Sequence, residues 1–288
     1  MKGISIIIPA YNEEKGIYAT VTELHSVMKM ADISYEIIVI DDGSIDNTAK
    51  IGKSLPNIQF LANKRNMGYG YSIKKAGTSA QFDLIAITDA DGTYPNERIP
   101  DLLSLLEDNV DMVVGWRKGL DAKIPLTRRP VKWIIRKFAE FVAGYPIPDP
   151  NSGLRIFRKE TLERNAHLLP SGFSLTTTIT LLIASGGGDI VYEPIKYHQR
   201  TGISKFHPIK DTWGMISLIV RSTLLFTPLR VFVPLALALF TLSLGILVYS
   251  FYWLDRIPDG TISILTATGI QILCLGLLAD LVNRQNPR

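Results

Sequence analysis

The chain has 288 residues, enough for one substantial globular domain and something smaller. Its net charge of +4 is too small to argue for nucleic acid, and its one cysteine, Cys274, excludes a disulfide framework or a cysteine metal site. The hydrophobic fraction of 47% and the mean hydropathy of +0.17 are high for a soluble protein, and the excess collects near the C-terminal end.

Short β-rich runs over 4–8, 36–40, 58–62, 83–88 and 111–115 alternate with helical patterns, the clearest carrying Ile17, Val21, Leu24 and Met28 on one face. The first run passes at once into Pro9-Ala10-Tyr11-Asn12-Glu13-Glu14, without the small-residue cleavage site of a secretory signal. The cytoplasmic side is therefore the expected place for this part of the chain. Alternating β and α elements predict a mostly parallel sheet with helices on both faces, in which ligands gather beyond the carboxyl ends of the strands. Three polar clusters fall at such ends: Pro9 to Glu13 after the first run, Asp41-Asp42-Gly43-Ser44 after the second, and Asp89-Ala90-Asp91 after the fourth. Gly68-Tyr69-Gly70 lacks the third glycine of a dinucleotide loop and reads as a helix-entry turn. Gly186-Gly187-Gly188 reads as a turn before a strand over 190–193, and His25, His167, His198 and His207 show no metal-ligand spacing.

Further on, Ile209, Trp213, Ile216, Val220 and Leu224 recur at helical spacing beside Lys210 and Arg221. This pattern suits an amphipathic helix in a membrane interface, with a helix packed on the preceding domain as the alternative. Residues 231–254 carry no charge and are long enough to span a bilayer, and a second uncharged run covers 260–279 after a short turn. Tyr249, Tyr252 and Trp253 stand where an interfacial aromatic belt would lie. Arg221 and Arg230 precede the pair while Arg284 and Arg288 follow it, which places both termini in the cytoplasm. The expected domains are 1–206, an interfacial helix over 207–229, and a two-helix anchor over 230–288 with spans near 231–254 and 260–280.

Two carboxylates as close as Asp89 and Asp91 repel unless a cation lies near them. A hard divalent ion with oxygen ligands, shared with a diphosphate, fits, although paired aspartates also occur in turns and caps. After the second run, an aspartate can accept hydrogen bonds from a ribose or a base. Alternatively Asp42-Gly43 makes a tight turn and Ser44 or Asp46 caps the next helix. One aspartate can serve each purpose.

Taken in order, Pro9-Ala10-Tyr11-Asn12-Glu13-Glu14, Asp41-Asp42-Gly43-Ser44 and Asp89-Ala90-Asp91-Gly92 resemble the signature of the family 2 glycosyltransferases with the Rossmann-like GT-A fold. Asp149-Pro150-Asn151-Ser152-Gly153-Leu154-Arg155 and Arg200-Thr201-Gly202-Ile203-Ser204-Lys205 resemble blocks of the dolichyl-phosphate mannose and glucose synthase branch. The resemblance implies an α/β GT-A domain, an interfacial helix and two transmembrane helices. Its implied reaction is metal-dependent, inverting transfer of a hexose from a GDP- or UDP-sugar to a polyisoprenyl phosphate at the cytoplasmic face. Pro9, Tyr11, Glu13 and Asp42 would then line the nucleotide pocket, Asp89 and Ala90 would meet the nucleotide-sugar, and Asp91, with Asp89, would hold Mg2+ or Mn2+. Arg200 and Lys205 would sit near the donor diphosphate or the membrane-facing mouth.

Arg117 and Arg129, with Arg128 beside the latter, would clamp the acceptor phosphate, since a planar guanidinium holds two oxygens at once. A basic face attracted to anionic lipid is the other reading of these arginines. Thr93 replaces a glutamine found in many relatives, which puts a third protein metal ligand in doubt. Lys132 or Trp133 stands where a serine is expected, and Lys132 could meet the phosphate instead. A lipid phosphate, with its second pKa at about 6, needs no strong base, so Asp149 would position the acceptor or take a residual proton. Positioning and stabilisation of the leaving diphosphate would carry catalysis.

Two other readings compete. A polymerising synthase would show Gln-X-X-Arg-Trp after its core, whereas Gln199-Arg200 is followed here by Thr201-Gly202. A non-catalytic membrane subunit that docks lipid or a partner would have no reason to keep both Asp89 and Asp91. The expected partners are a nucleotide-sugar, a polyisoprenyl phosphate and the bilayer, without nucleic acid. Self-association into a homo-oligomer is left open.

Overall fold

The computed structural model describes residues 3–118, 137, 140, 146–172, 174–198, 228–253 and 258–285. Seven strands form one sheet: β1 Ile4–Ala10, β2 Tyr35–Asp41, β3 Gln59–Ala62, β4 Leu84–Ile87, β5 Met112–Arg117, β6 Arg155–Arg158 and β7 Ile190–Ile195, in the order β3-β2-β1-β4-β6-β5-β7. Neighbours are parallel except at β6, which runs antiparallel to both β4 and β5. The expected strands are present with shifted ends, and the sheet is mostly parallel as anticipated. Strand β6 was not anticipated from the sequence.

Alternation along β1 divides the core. Ile4, Ile6 and Ile8 face one layer with Ile37 and Val39, while Ile7 faces the other with Ile38 and Ile40. The first layer is closed by α1 (Ile17–Met30), which buries Ile17, Val21, Leu24 and Met28 as its spacing foretold, and by α4 (Ile99–Ser104). The second is closed by α3 (Tyr69–Ser79), α5 (Lys159–Arg164) and α6 (Leu175–Ser185). Helix α2 (Thr48–Ser54) follows β2. Gly68, at φ 101°, opens α3, and Gly187, at φ 80°, turns the chain after α6, so both glycine clusters serve turns.

Because β1, β2, β4 and β5 run the same way, their carboxyl ends share one edge. Antiparallel β6 starts at that edge, with Arg155 opposite Ile87 and Val114, so the 149–153 segment arrives there as well.

Two long helices follow, α7 (Leu229–Trp253) and α8 (Asp259–Gln285). Both are long and apolar enough to cross a membrane, and only 11% of each apolar window is buried. Helix α8 extends beyond the uncharged run at both ends, taking in Asp259 and Asp280. The pair packs through small residues: a Cβ on Gly269 would meet the Phe240 ring at 2.6 Å, and one on Gly276 would meet Phe232 at 2.5 Å. Ser243 Oγ lies 3.0 Å from Thr266 Oγ1 across the same seam. The exposed aromatics Tyr249, Tyr252 and Trp253 cluster at the end of α7, with Tyr249 and Trp253 stacked at 5.6 Å. The expected interfacial helix lies almost wholly outside the described residues.

Leu24 is 0% exposed and Tyr18, on the same helix, is 63% exposed. Leu24→Ala should cost about 2–5 kcal/mol through transfer and cavity terms. Tyr18→Ala should stay within about 0.5 kcal/mol. Denaturant unfolding of the detergent-solubilised chain checks both.

Candidate active site

The loops after β1 and β2 are bonded to each other. Asn12 takes a left-handed conformation, φ 55°, which asparagine tolerates. There its N–H donates to Ser44 Oγ at 2.9 Å while its Oδ1 accepts from the Ile45 N–H at 2.9 Å. Glu13 N–H donates to Thr48 Oγ1 at 2.8 Å, and Asp46 Oδ1 accepts from the Thr48 N–H at 2.9 Å, at the entry to α2. Burial works against ionised Asp46, but the bonds from Thr48 and Glu14 outweigh it and hold the carboxyl below its ordinary value.

The two aspartates at the end of β2 divide the work. Asp41 accepts from the Ser44 N–H at 3.3 Å across the turn at Gly43, whose φ is 73°. Asp42, only 4% exposed, ties down the segment after β3: Oδ1 accepts from Asn63 Nδ2 at 2.8 Å and Met67 N–H at 2.9 Å, and Oδ2 from Gly68 N–H at 2.8 Å. Pro9, Tyr11 and Glu13, at the end of β1 and in the loop after it, are half-buried.

Helix α1 braces the strand-end Asp89-Ala90-Asp91 turn. Thr20 Oγ1 donates to the Ala90 carbonyl at 3.2 Å, and a Cβ on Gly16 would lie 2.3 Å from that oxygen. Asp89 and Asp91 are both half-buried. Thr93 is fully buried and directs its hydroxyl, at 2.6 Å, and its N–H, at 3.1 Å, to Asp91 Oδ1. It orients that carboxylate. Asp89 faces Gly153, where a Cβ would stand 3.0 Å from both carboxylate oxygens. The Tyr69 phenol is buried against Asp89, and burial followed by that negative charge holds its pKa well above the ordinary value.

Among the described residues no three His, Cys, Asp or Glu side chains cluster as a metal cage. A pair of carboxylates does not make a zinc site. It fits a magnesium-like ion that takes one or two carboxylates and fills its shell with water and substrate phosphate.

On the other side of the edge Arg117, at the end of β5, meets Asp149 in a bidentate pair: Nε to Oδ2 and Nη2 to Oδ1, both 2.8 Å. The two side chains are 17% and 11% exposed. Burial would lower the Arg117 pKa, but Asp149 and the Tyr94 and Tyr197 phenols more than offset it, so the guanidinium stays charged. Arg117 also lies over the Tyr197 ring, 5.3 Å from its centroid, and Tyr197 packs edge-on against Tyr94 at 5.2 Å. Gly153 N–H donates to the Tyr94 hydroxyl at 2.6 Å, linking this group to the Asp89 side.

The structure thus brings together Pro9, Tyr11, Glu13, Asp42, Asp89, Ala90, Asp91, Arg117 and Asp149 on one edge. Arg129, Lys132, Arg200 and Lys205 lie outside the described residues. Sequence reasoning missed Tyr69, Tyr94, Tyr197 and the contacts of Arg155. Tyr69 sits in the glycine-flanked turn set aside as structural, and the other two tyrosines carried no pattern.

The family model Glycosyl transferase family 2 matches residues 5–165, and the GtrB C-terminal hairpin matches residues 227–284. The chain is 28% identical over 207 residues to a dolichyl-phosphate hexose transferase of Haloferax volcanii, covering 71% of this chain and 87% of that one. It is 28% identical over 300 residues to an undecaprenyl-phosphate 4-deoxy-4-formamido-L-arabinose transferase of Yersinia enterocolitica, covering 99% and 89%. In fold it matches glucosyl-3-phosphoglycerate synthase of Mycobacterium tuberculosis, solved with Mn2+, UDP and phosphoglyceric acid, at a TM-score of 0.60 and 18% identity over 77% and 78% of the two chains.

Gly153→Ala should press on the Asp89 carboxylate and on the buried Tyr94 ring, 3.1 Å from the added Cβ, weakening Mn2+-dependent binding of UDP or GDP several-fold and lowering the unfolding temperature. Titration calorimetry with each nucleotide, beside thermal unfolding, reads both effects.

Proposed function

Since the chain belongs to glycosyl transferase family 2, we propose that this glycosyltransferase moves a hexose from a GDP- or UDP-sugar to a polyisoprenyl phosphate at the membrane surface, with inversion. The observation that carries this reading is the sharing of one sheet edge by the Asp89/Asp91 pair and the Arg117–Asp149 pair, in a chain that ends in two long apolar helices. The relatives named for dolichyl- and undecaprenyl-phosphate support the acceptor class, and one of them transfers a modified arabinose, so the class alone does not fix the sugar.

In this reading the interlocked loops after β1 and β2, with Asp42 holding the 63–68 segment, form the nucleotide pocket of Pro9, Tyr11 and Glu13. Asp89 and Asp91 hold Mg2+ or Mn2+, with Thr93 fixing Asp91 from behind and phosphate or water oxygens filling the remaining positions. Bound there, the ion would neutralise charge on the leaving diphosphate. Arg117 turns its Nε edge to Asp149 and offers its other edge to the acceptor phosphate, where Arg129 and Lys132 would join it. The phosphate is largely ionised near neutral pH, with a second pKa of about 6, so it attacks the anomeric carbon without a strong base. Asp149, engaged on Arg117, positions the acceptor. Arg200 and Lys205 meet the donor diphosphate or the lipid mouth.

In this reading the catalytic domain lies within residues 1–206 and the anchor within 230–288, with both termini cytoplasmic. The exposed collar of Tyr249, Tyr252 and Trp253 supports a membrane-water boundary at the end of α7.

The test is transfer in detergent with Mg2+ or Mn2+, a short polyprenyl phosphate and radiolabelled GDP- or UDP-sugars, counting label in the organic phase. The expected result is label from one donor, lost with EDTA and lost in a folded Asp91→Ala variant. Undiminished transfer by Asp91→Ala sinks the metal assignment, and no label from any donor sinks the acceptor.

A further inference from the structure

Arg155 opens β6 and is fully buried. Among the described residues its hydrogen bonds to oxygen go to neutral acceptors. Nε and Nη2 both reach the Ser152 carbonyl, Nε at 3.0 Å, and Nη2 also reaches the Pro150 carbonyl at 3.5 Å. Nη1 reaches the Thr176 carbonyl at 2.7 Å and Thr180 Oγ1 at 3.2 Å, both in the first turns of α6. Burying a guanidinium costs more than burying an apolar side chain of similar size, so stability alone is a poor reason for an arginine here. A fork of five donors does something an apolar residue cannot: it pins several carbonyls of an irregular turn in one geometry.

That turn carries groups from both halves of the site. Asp149 at its start grips Arg117, and Gly153 at its end abuts Asp89 and donates to Tyr94. Ser152 Oγ is bonded to the Gly115 carbonyl at 2.6 Å, and Thr177 Oγ1 to Asn151 Oδ1 at 2.5 Å, so the turn is also fastened to β5 and to α6. We propose that Arg155 is a positioning residue: by clamping the Asp149–Gly153 turn to α6 it sets the spacing between the Arg117–Asp149 pair and the Asp89 carboxylate. Fully buried, it acts through Asp149 and Gly153.

The inference rests on the transfer reaction proposed above, and its test separates the two. The full chain in detergent is compared with Arg155→Lys, Asp149→Asn and the double variant, with kcat expressed per nucleotide-binding site so that loss of folded protein cancels. Arg155→Lys keeps the charge and loses the fork. It is expected to unfold at a lower temperature, because buried carbonyls lose their donors, to bind Mn2+ and nucleotide several-fold more weakly, and to lose kcat per site by about 10²-fold, the scale of an ångström's misplacement. In the double variant the losses should not multiply, because both act through the same turn.

Unchanged kcat per site, or losses that multiply, overturns the proposal. Should Arg155→Lys not be recovered folded, Thr180→Val, which removes one partner of the fork, is read in the same way. It is expected to show a smaller loss that again fails to multiply with Asp149→Asn, and an unchanged kcat overturns the proposal. If wild type transfers nothing, the reaction reading has failed, and the nucleotide affinity of Arg155→Lys then decides this inference: unchanged affinity overturns it.

Discussion

The hydrogen bonds that hold β1 between β2 and β4 fix where the acidic groups of the site stand. Register is exact along all three strands, with Ile7 opposite Ile38 on one side and Ile87 on the other. A slip of one residue would turn Ile6 and Ile8 out of their layer and carry the polar clusters with them. Two oppositely facing isoleucine sets make such a slip costly, so apolar packing in the centre of the sheet governs the geometry of the carboxylates at its rim. The site inherits its precision from the core.

Much of this could be read from residues alone. Parallel strands followed by polar clusters predict a shared edge, and α1 buried the four apolar residues its spacing selected. Strand β6 escaped because it is four residues long and begins and ends with arginine, so no apolar run or alternation marks it. Its direction depends on the chain's return across the sheet, which is a long-range fact. The pairing of Arg117 with Asp149 escaped for the same reason, since 32 positions separate them. Thr93 was legible as a departure from the expected glutamine, but its bond to Asp91 depends on the local turn. Tyr69, Tyr94 and Tyr197 carry no spacing signal, because aromatic residues near a site usually belong to the core.

The edge divides into halves built on different principles. One half is made of short loops bonded reciprocally, in which the side chains of Ser44, Asn12, Asp46 and Thr48 pair with the backbone N–H groups of Asn12, Ile45, Thr48 and Glu13. The other half is made of side chains that reach across the sheet, with Arg117, Tyr197, Tyr94 and Gly153 forming a chain of contacts toward Asp89. Short motifs mark the first half whole, whereas in the second they mark Arg117 and the 149–155 block but neither the tyrosines nor the pairings between them. Family membership bridges the gap, because it reports the order of blocks along the chain rather than their meeting in space.

The seam between α7 and α8 sets a rotational phase. Gly269 and Gly276 are seven residues apart, close to two helical turns, and each receives a phenylalanine from the facing helix. Inserting one residue between them would turn the rest of α8 by about 100° and carry Gly276 out of the seam. A large side chain would then meet Phe232. The hairpin can therefore drift widely in its outward-facing residues, but its length between these two glycines can change only in steps that restore the turn.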